Sequence, residues 1–168
     1  MAKKVLHWKQ GEHMKDPTAN IRYWDDLKRQ NESIVQLFKE LDQQQLDGNF
    51  LDSISKQVAS EWPSDSIFYK IYTSFLEIRK SLKQMGDAAG VPIEPDEQTA
   101  LCDATMKIPG VVTALVPGAG GYDAIACLYV DRPYVLEDIG KLWATYTDPV
   151  ICPLGLRAST GGMSAETV

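Results

Sequence analysis

Histidine and cysteine are scarce in this chain of 168 residues, which has two histidines and three cysteines. Cys102, Cys127 and Cys152 stand apart from one another, so they match neither a paired disulfide framework nor a zinc-binding motif. We interpret them as small buried thiols. A catalytic thiol would need a histidine base, and His7 and His13 both lie in the polar N-terminal stretch. The sequence therefore argues against thiol catalysis and structural zinc.

Excess positive charge and long apolar runs are also missing. The 17 Lys and Arg residues against 23 Asp and Glu residues give a net charge of −6, whereas a nucleic-acid surface needs a basic stripe. A local basic pocket for a phosphorylated metabolite is compatible with this charge. No apolar run approaches the roughly 20 residues that cross a bilayer, and the segment 8–12 interrupts any signal-peptide core. We predict a cytoplasmic protein without a nucleic-acid partner or membrane span.

Helical periodicity dominates the first two thirds of the chain. The apolar residues that recur at helical spacing over 67–89 are Ile67, Ile71, Phe75, Ile78, Leu82, Met85 and Ala89. This spacing predicts a long helix with one packing face, capped by Ser64 or Asp65 and ended at Gly90. Further helices are predicted over 3–10 (closed by Gly11), from 21 to a break at 47–49, over 51–61, and from Pro95 to just before residue 109. Residues 12–20 are predicted to form an exposed loop.

Two apolar runs at 111–116 and 124–130 predict a pair of antiparallel strands joined by a glycine-rich hairpin. Residues 134–146 predict a helix, and residues 150–157 predict a last strand that is kinked by Pro153. The length suits one domain. The order of helices, strand, strand, helix and strand predicts an α+β fold.

The segment 117–123, Pro-Gly-Ala-Gly-Gly-Tyr-Asp, is the most informative part of the chain. Glycine takes positive φ at little cost and lets a ligand approach the main chain. Successive bare N–H groups can form a concave anion site, so the segment is typical of a loop beside phosphate or carboxylate. Its spacing matches neither the Walker motif nor the dinucleotide-binding motif. A tight hairpin without a ligand would use the same glycines, and both alternatives stay open.

An ordered set of short motifs surrounds this loop. Residues 86–95 read Gly-Asp-Ala-Ala-Gly-Val-Pro-Ile-Glu-Pro, residues 98–103 read Gln-Thr-Ala-Leu-Cys-Asp, and residues 109–111 read Pro-Gly-Val. With the Gly-Ala-Gly-Gly run at 118–121, this set resembles the C-terminal domain of eukaryotic-type phosphomevalonate kinases. These belong to the galactokinase, homoserine kinase and mevalonate kinase superfamily. Segments 4–9 and 155–157 resemble that domain's opening helix and closing strand.

The resemblance implies a domain and a fold. Residues 1–157 are expected to form the C-terminal domain of a two-domain small-molecule kinase, and residues 158–168 a flexible tail. The superfamily's C-terminal domain is ferredoxin-like and begins with a strand, which does not precede Lys4 here. We expect a helix-rich N-terminal two thirds packed on a small antiparallel sheet that lacks its first strand, with unpaired sheet edges.

The resemblance also implies a reaction. The family transfers the γ-phosphoryl group of ATP to phosphomevalonate, which gives diphosphomevalonate in the mevalonate pathway of isoprenoid synthesis. The superfamily's ATP-phosphate loop, Pro-x-x-x-Gly-Leu-Gly-Ser-Ser-Ala, belongs to an N-terminal domain, and this sequence contains no Gly-Ser-Ser run. We therefore expect ATP and Mg²⁺ as cofactors of the complete enzyme, the missing N-terminal kinase domain as partner, and no kinase activity from this half alone.

The candidate site is the phosphate and substrate loop, which comprises Gly118, Ala119, Gly120, Gly121 and Asp123. The loop is expected to offer N–H groups to phosphates or substrate. Asp123 is expected to orient a neighbouring loop or to accept a hydrogen bond from a substrate hydroxyl, and an ordinary turn aspartate that caps the hairpin explains it equally well.

Two further acidic residues match family positions. We interpret Glu94 and Asp103 as supporting groups near the start of a helix, not as a general base. An alternative function also stays open, in which the chain is a non-catalytic α+β binding or assembly module that retains the kinase scaffold. The solvated charges of residues 25–29 suit either function.

Overall fold

Six α-helices and one two-stranded antiparallel sheet make up the computed structural model, which describes residues 2–15 and 21–154. The elements are α1 (Ala2–Lys15), α2 (Ile21–Asp42), α3 (Gly48–Ile54), a 3₁₀ turn (Ala59–Glu61), α4 (Ile67–Ala89), α5 (Asp96–Thr105), β1 (Val111–Leu115), β2 (Ala126–Tyr129) and α6 (Pro133–Ala144). The predicted α+β fold, rich in helix ahead of a small antiparallel sheet, is confirmed. The predicted tail at 158–168 lies outside the described residues.

Helix α4 is the central element, and its predicted packing face is confirmed. Four of the seven predicted positions are buried and the other three are half-buried, in contact with α1, α2 and β1. The predicted cap was wrong. Ser64 and Asp65 lie inside a turn that runs from Pro63 to Ser66, and Ser66 is the N-cap, with a side chain that accepts the Tyr69 N–H at 3.2 Å. Gly90 ends the helix with φ 62°, as predicted.

Replacing Ile78 by alanine is expected to lower the free energy of unfolding by about 2–5 kcal/mol, as other large-to-small core changes do. Ile78 is 6% exposed and belongs to the core that α2, α4 and β1 share. Urea denaturation measures the change. A midpoint shift no larger than that of the exposed variant Lys80→Ala would contradict this packing.

The predicted hairpin is confirmed, with strands slightly shorter than predicted. In the antiparallel register Thr113 lies opposite Leu128 and Leu115 opposite Ala126. Residues 111–114 are fully buried because α4 and α5 cover β1, whereas β2 alternates between exposed and half-buried positions. The order α5, β1, β2, α6 matches the middle four elements of the ferredoxin-like order. The ten residues 116–125 therefore form one long loop that carries the candidate site.

Besides the cap of α4, three predicted elements have wrong bounds. The single helix predicted over 51–61 is instead α3, Gly48–Ile54, followed by the separate 3₁₀ turn Ala59–Glu61. Helix α1 runs through Gly11 to Lys15, because the flanking lysine, glutamine and glutamate residues favour a helix and one glycine costs only about 1 kcal/mol. Residues 151–154 of the predicted last strand have no regular structure, and Val150 forms only an isolated bridge with Thr147. Among the described residues no neighbouring strand is available to pair with them. Residues 16–20 and 155–157 lie outside the described part.

The three cysteines differ in their surroundings. Cys102 is buried and Cys127 half-buried, and burial raises the pKa of each thiol to about 12. Cys152 is exposed, so its predicted burial was wrong. No helix in the described ranges is both long and apolar enough to cross a membrane.

Candidate functional site

The glycine loop, residues 116–125, changes direction through three glycines with positive φ. Gly118 has φ 65°, Gly120 81° and Gly121 115°. The Pro117 carbonyl accepts the Gly120 N–H at 3.3 Å and closes a tight turn. Within that turn Gly118 has positive φ and Ala119 does not, which is the type II′ pattern. The glycines are therefore required by the backbone path.

The glycine loop rests on the main chain of the segment 91–95, which links α4 to α5. The Gly121 N–H donates to the Ile93 carbonyl at 2.9 Å. A Cβ atom on Gly120 would lie 2.6 Å from both the Cα and the carbonyl oxygen of Ile93. No side chain fits between the two segments, so the glycine at position 120 permits the contact.

The other side of the segment 91–95 rests on the end of α4, again through a glycine. A Cβ on Gly86 would lie 2.7 Å from the Val91 carbonyl oxygen and 3.3 Å from the Ile93 Cβ. The Val91 N–H bonds to the Gly86 carbonyl and the Gly90 N–H to the Asp87 carbonyl, which is a Schellman motif. Ile93 is thus held between α4 and the glycine loop, and the two glycine-bearing motifs of the sequence meet here.

A third contact joins the glycine loop to α5. The side-chain amide of Gln98 donates to the Tyr122 carbonyl at 2.7 Å. Together with the Gly121 hydrogen bond, it fixes the loop at two successive residues.

The outer edge of the glycine loop keeps its polar groups free. Within the described part of the chain, the N–H groups of Gly118, Ala119, Tyr122 and Asp123 have no hydrogen-bond partner. The Asp123 carboxylate is exposed and also accepts no hydrogen bond there. The loop can therefore present several N–H donors and one carboxylate to a ligand.

A buried ion pair joins α4 to the segment 91–95, on which the glycine loop rests. Arg79 of α4 donates from Nε to Glu94 Oε2 at 3.2 Å and from Nη2 to Oε1 at 2.5 Å. Both side chains are almost fully buried, with 8% and 5% exposure. Arg79 Nη1 also donates to Asp103 Oδ1 at 2.9 Å. Glu94 lies just before the start of α5, as interpreted from the sequence, whereas Asp103 lies in the last turn of α5, so its expected place near the start of a helix was wrong. Both carboxylates contact Arg79.

The pairing keeps Arg79 charged. Burial alone would lower the pKa of this guanidinium, but the hydrogen bonds and charge of Glu94, together with the Asp103 hydrogen bond, outweigh burial and raise the pKa above its usual value. Lys83, one turn further along α4, donates to the Glu94 carbonyl at 3.3 Å and to Asp96 Oδ1 at 3.0 Å. The hydrogen bond to Asp96 is the main cause of the raised pKa of Lys83. The link between α4 and α5 is thus held by two cations.

Sequence reasoning missed Arg79, Lys83 and Gln98. A signal for Arg79 was present, because it lies three residues after Leu76 and seven after Tyr72, which line the core beside the predicted stripe. A charged residue at such a position on a helix is buried with a partner or not buried at all. Gln98 opens the family motif at 98–103, but that motif did not predict its contact, which depends on how the loop folds back on α5.

The comparisons with known proteins point to one class, the small-molecule kinases. The chain is 29% identical over 171 residues to a phosphomevalonate kinase of Gibberella zeae, covering all of this chain and 32% of the relative. It is 42% identical over 95 residues to the peroxisomal phosphomevalonate kinase of Arabidopsis thaliana, covering 56% of the chain and 18% of the relative. It is also 35% identical over 132 residues to that of Candida albicans, covering 79% and 28%.

The chain is homologous to a segment of the phosphomevalonate kinases, so the resemblance expected from the sequence is confirmed. It spans about a third or less of the length of these curated relatives. No family model and no solved structure matches the chain.

Proposed function

We propose that this chain forms part of a phosphomevalonate kinase and contributes the glycine loop to its active site. The complete enzyme would transfer the γ-phosphoryl group of ATP to phosphomevalonate and form diphosphomevalonate. The homology to named phosphomevalonate kinases carries this proposal. The ATP-phosphate loop would come from an N-terminal kinase domain, since the chain spans only a third or less of its relatives.

The geometry of the glycine loop supports a role at phosphate. Phosphoryl transfer depends mainly on positioning and on the neutralisation of spreading negative charge. Preorganised N–H groups do this well, because they need no reorganisation during the reaction. Gly118 and Ala119 offer such groups at the outer edge of the loop, while Gly120 and Gly121 use theirs to hold it in place.

The roles of the two cofactors differ in this proposal. The free N–H groups of the loop fit a phosphate of ATP or of phosphomevalonate. Within the described residues, no group of three or more His, Cys, Asp and Glu side chains is placed to hold a metal ion. The proposal keeps Mg²⁺ and the ATP-phosphate loop with the N-terminal kinase domain, as the resemblance to the family implies. Asp123, exposed beside the loop, is proposed to face the substrate or a neighbouring loop.

The proposed compartment is the cytoplasm, although the Arabidopsis relative is named peroxisomal. The alternative of a non-catalytic binding module gains no support from the relatives, which are all named kinases. Reading the coding frame beyond residue 1 separates the two functions. A Gly-Leu-Gly-Ser-Ser-Ala segment upstream supports the kinase, and a complete frame without it supports the binding module.

The chain alone is expected to show no kinase activity, because it carries no Gly-Ser-Ser loop for the ATP phosphates. The test is ADP release in the presence of ATP, Mg²⁺ and phosphomevalonate, with an intact phosphomevalonate kinase as positive control. Turnover by the purified chain in the range usual for kinases, about 1–100 per second, would contradict the assignment of ATP binding to another domain.

A further inference from the structure

We propose that Arg79 is a positioning residue that sets the place of the glycine loop through Glu94 and Ile93. This inference rests on the proposed function for its catalytic meaning, while its structural part is tested on this chain directly. Arg79 lies on α4, and within the described residues no hydrogen bond joins it to the loop. Its shortest route to the loop runs through Glu94 of the segment 91–95, and a longer one runs through Asp103 and Gln98 of α5.

The first step is the fixed geometry of the ion pair. The planar guanidinium holds the Glu94 carboxylate through two parallel hydrogen bonds, at 3.2 and 2.5 Å. A two-bond pair of this kind fixes orientation as well as distance. Thr99 Oγ1 donates to the same carboxylate at 3.2 Å, and Lys83 holds the carbonyl of Glu94. Side chain and main chain of Glu94 are therefore both fixed to neighbouring helices.

The second step passes from Glu94 to the glycine loop. Ile93 precedes Glu94 directly, and its carbonyl accepts the Gly121 N–H. The Gly120 main chain approaches Ile93 so closely that no Cβ would fit, so the loop and the segment 91–95 are in direct contact. A rotation of the Glu94 main chain would therefore move the Ile93 carbonyl and the loop with it. The free N–H groups of Gly118 and Ala119 would change position in turn.

The third step concerns what such a pair does for the fold. Replacing a buried ion pair by apolar residues of similar volume is often neutral or stabilising. Stability alone therefore gives no reason for two charges inside this domain. Orientation of the segment 91–95 does give a reason, since apolar side chains pack without fixing a carboxylate or its main chain in one direction.

The structural test compares the double variant Arg79→Met/Glu94→Leu with the unaltered chain by amide hydrogen exchange. We expect a similar urea midpoint and exchange of the Gly121 N–H that is faster by at least about 10-fold. The Val130 N–H, which bonds to the Gly110 carbonyl at 2.8 Å, serves as internal control and should not change. The variant Arg132→Met removes a different ion pair, between Arg132 and Asp52, at the end of the hairpin opposite the glycine loop. It should leave the exchange rate of the Gly121 N–H unchanged.

Unchanged Gly121 exchange in a folded double variant would overturn the proposal. If the double variant does not fold, Glu94→Gln provides the test, because it keeps the side-chain shape and loses the carboxylate. The exchange rate of each amide is compared with its rate in the unaltered chain. A larger increase at Gly121 than at Val130 supports the proposal, and an equal change at both amides overturns it.

The catalytic test uses a hybrid enzyme in which this chain replaces the matching segment of the Gibberella zeae kinase. In that enzyme Glu94→Gln should lower kcat by about 10- to 100-fold with little change in KM, as a small misplacement of a positioning group does. A folded variant whose kcat is unchanged would overturn the catalytic part. An unaltered hybrid without activity would count against the proposed function instead, and the exchange result would stand.

Discussion

Replacing Gly120 by valine is expected to detach the glycine loop from the segment 91–95 and to lower kcat of the hybrid kinase by about 100-fold or more. The new Cβ would lie 2.6 Å from two main-chain atoms of Ile93, which cannot give way as a flexible side chain can. The φ of 81° adds strain for a β-branched residue. The Gly121 hydrogen bond to Ile93 should therefore break.

The matched control for loop placement is Gly118→Val in this chain. Gly118 has a similar φ of 65°, but a Cβ there would meet no atom within 4 Å. Both variants carry the strain of positive φ, and only Gly120→Val also collides with Ile93. Amide exchange of Gly121 should accelerate much more in Gly120→Val than in Gly118→Val. Equal acceleration in the two variants would contradict the close contact between Gly120 and Ile93. Full activity of Gly120→Val would show that the loop is a structural hairpin only.

Replacing Arg79 alone by methionine is expected to lower the free energy of unfolding by about 3–5 kcal/mol, since this leaves a buried carboxylate without its partner. Glu94 is 7% exposed, and Thr99 is its remaining side-chain donor among the described residues. The second change to Arg79→Met/Glu94→Leu should restore most of the loss. The double variant should therefore be more stable than Arg79→Met alone. If the two substitutions acted independently, their losses of unfolding free energy would add and the double variant would be the least stable.

Urea denaturation of four chains measures this coupling: the unaltered chain, the two single variants and the double variant. Arg132→Met serves as control, since its partner Asp52 is half exposed and the pair lies in contact with water. The loss in Arg79→Met should exceed that in Arg132→Met clearly. A double variant that is less stable than either single variant would contradict the predicted coupling between Arg79 and Glu94.

Local patterns explain how much of the fold was predictable. The apolar stripe of α4, its end at Gly90 and the two strands of the hairpin follow from spacing and residue type, which the structure retains. The final strand did not follow, because pairing requires a neighbour that no local pattern supplies. The cap at Ser66 was missed by one or two residues, since a turn beginning at Pro63 shifted the start of the helix.

The candidate site was predictable only in part. The glycines of residues 118–121 marked the loop, and family motifs marked Glu94 and Asp103. The contact of Gly120 with Ile93 and the hydrogen bond from Gln98 join residues more than 20 positions apart, so they exist only after the hairpin folds back. Arg79 carried a signal, a charge on an apolar face, but its partner Glu94 lay beyond the helix.

The hybrid kinase tests the central claim most directly. This chain replaces the matching segment of the Gibberella zeae phosphomevalonate kinase, and ADP release is measured with and without phosphomevalonate. We predict turnover that depends on phosphomevalonate and reaches the range of about 1–100 per second usual for kinases. A hybrid that elutes and unfolds like the parent kinase, but releases no ADP where the parent does, would contradict the proposal that this chain forms part of a phosphomevalonate kinase.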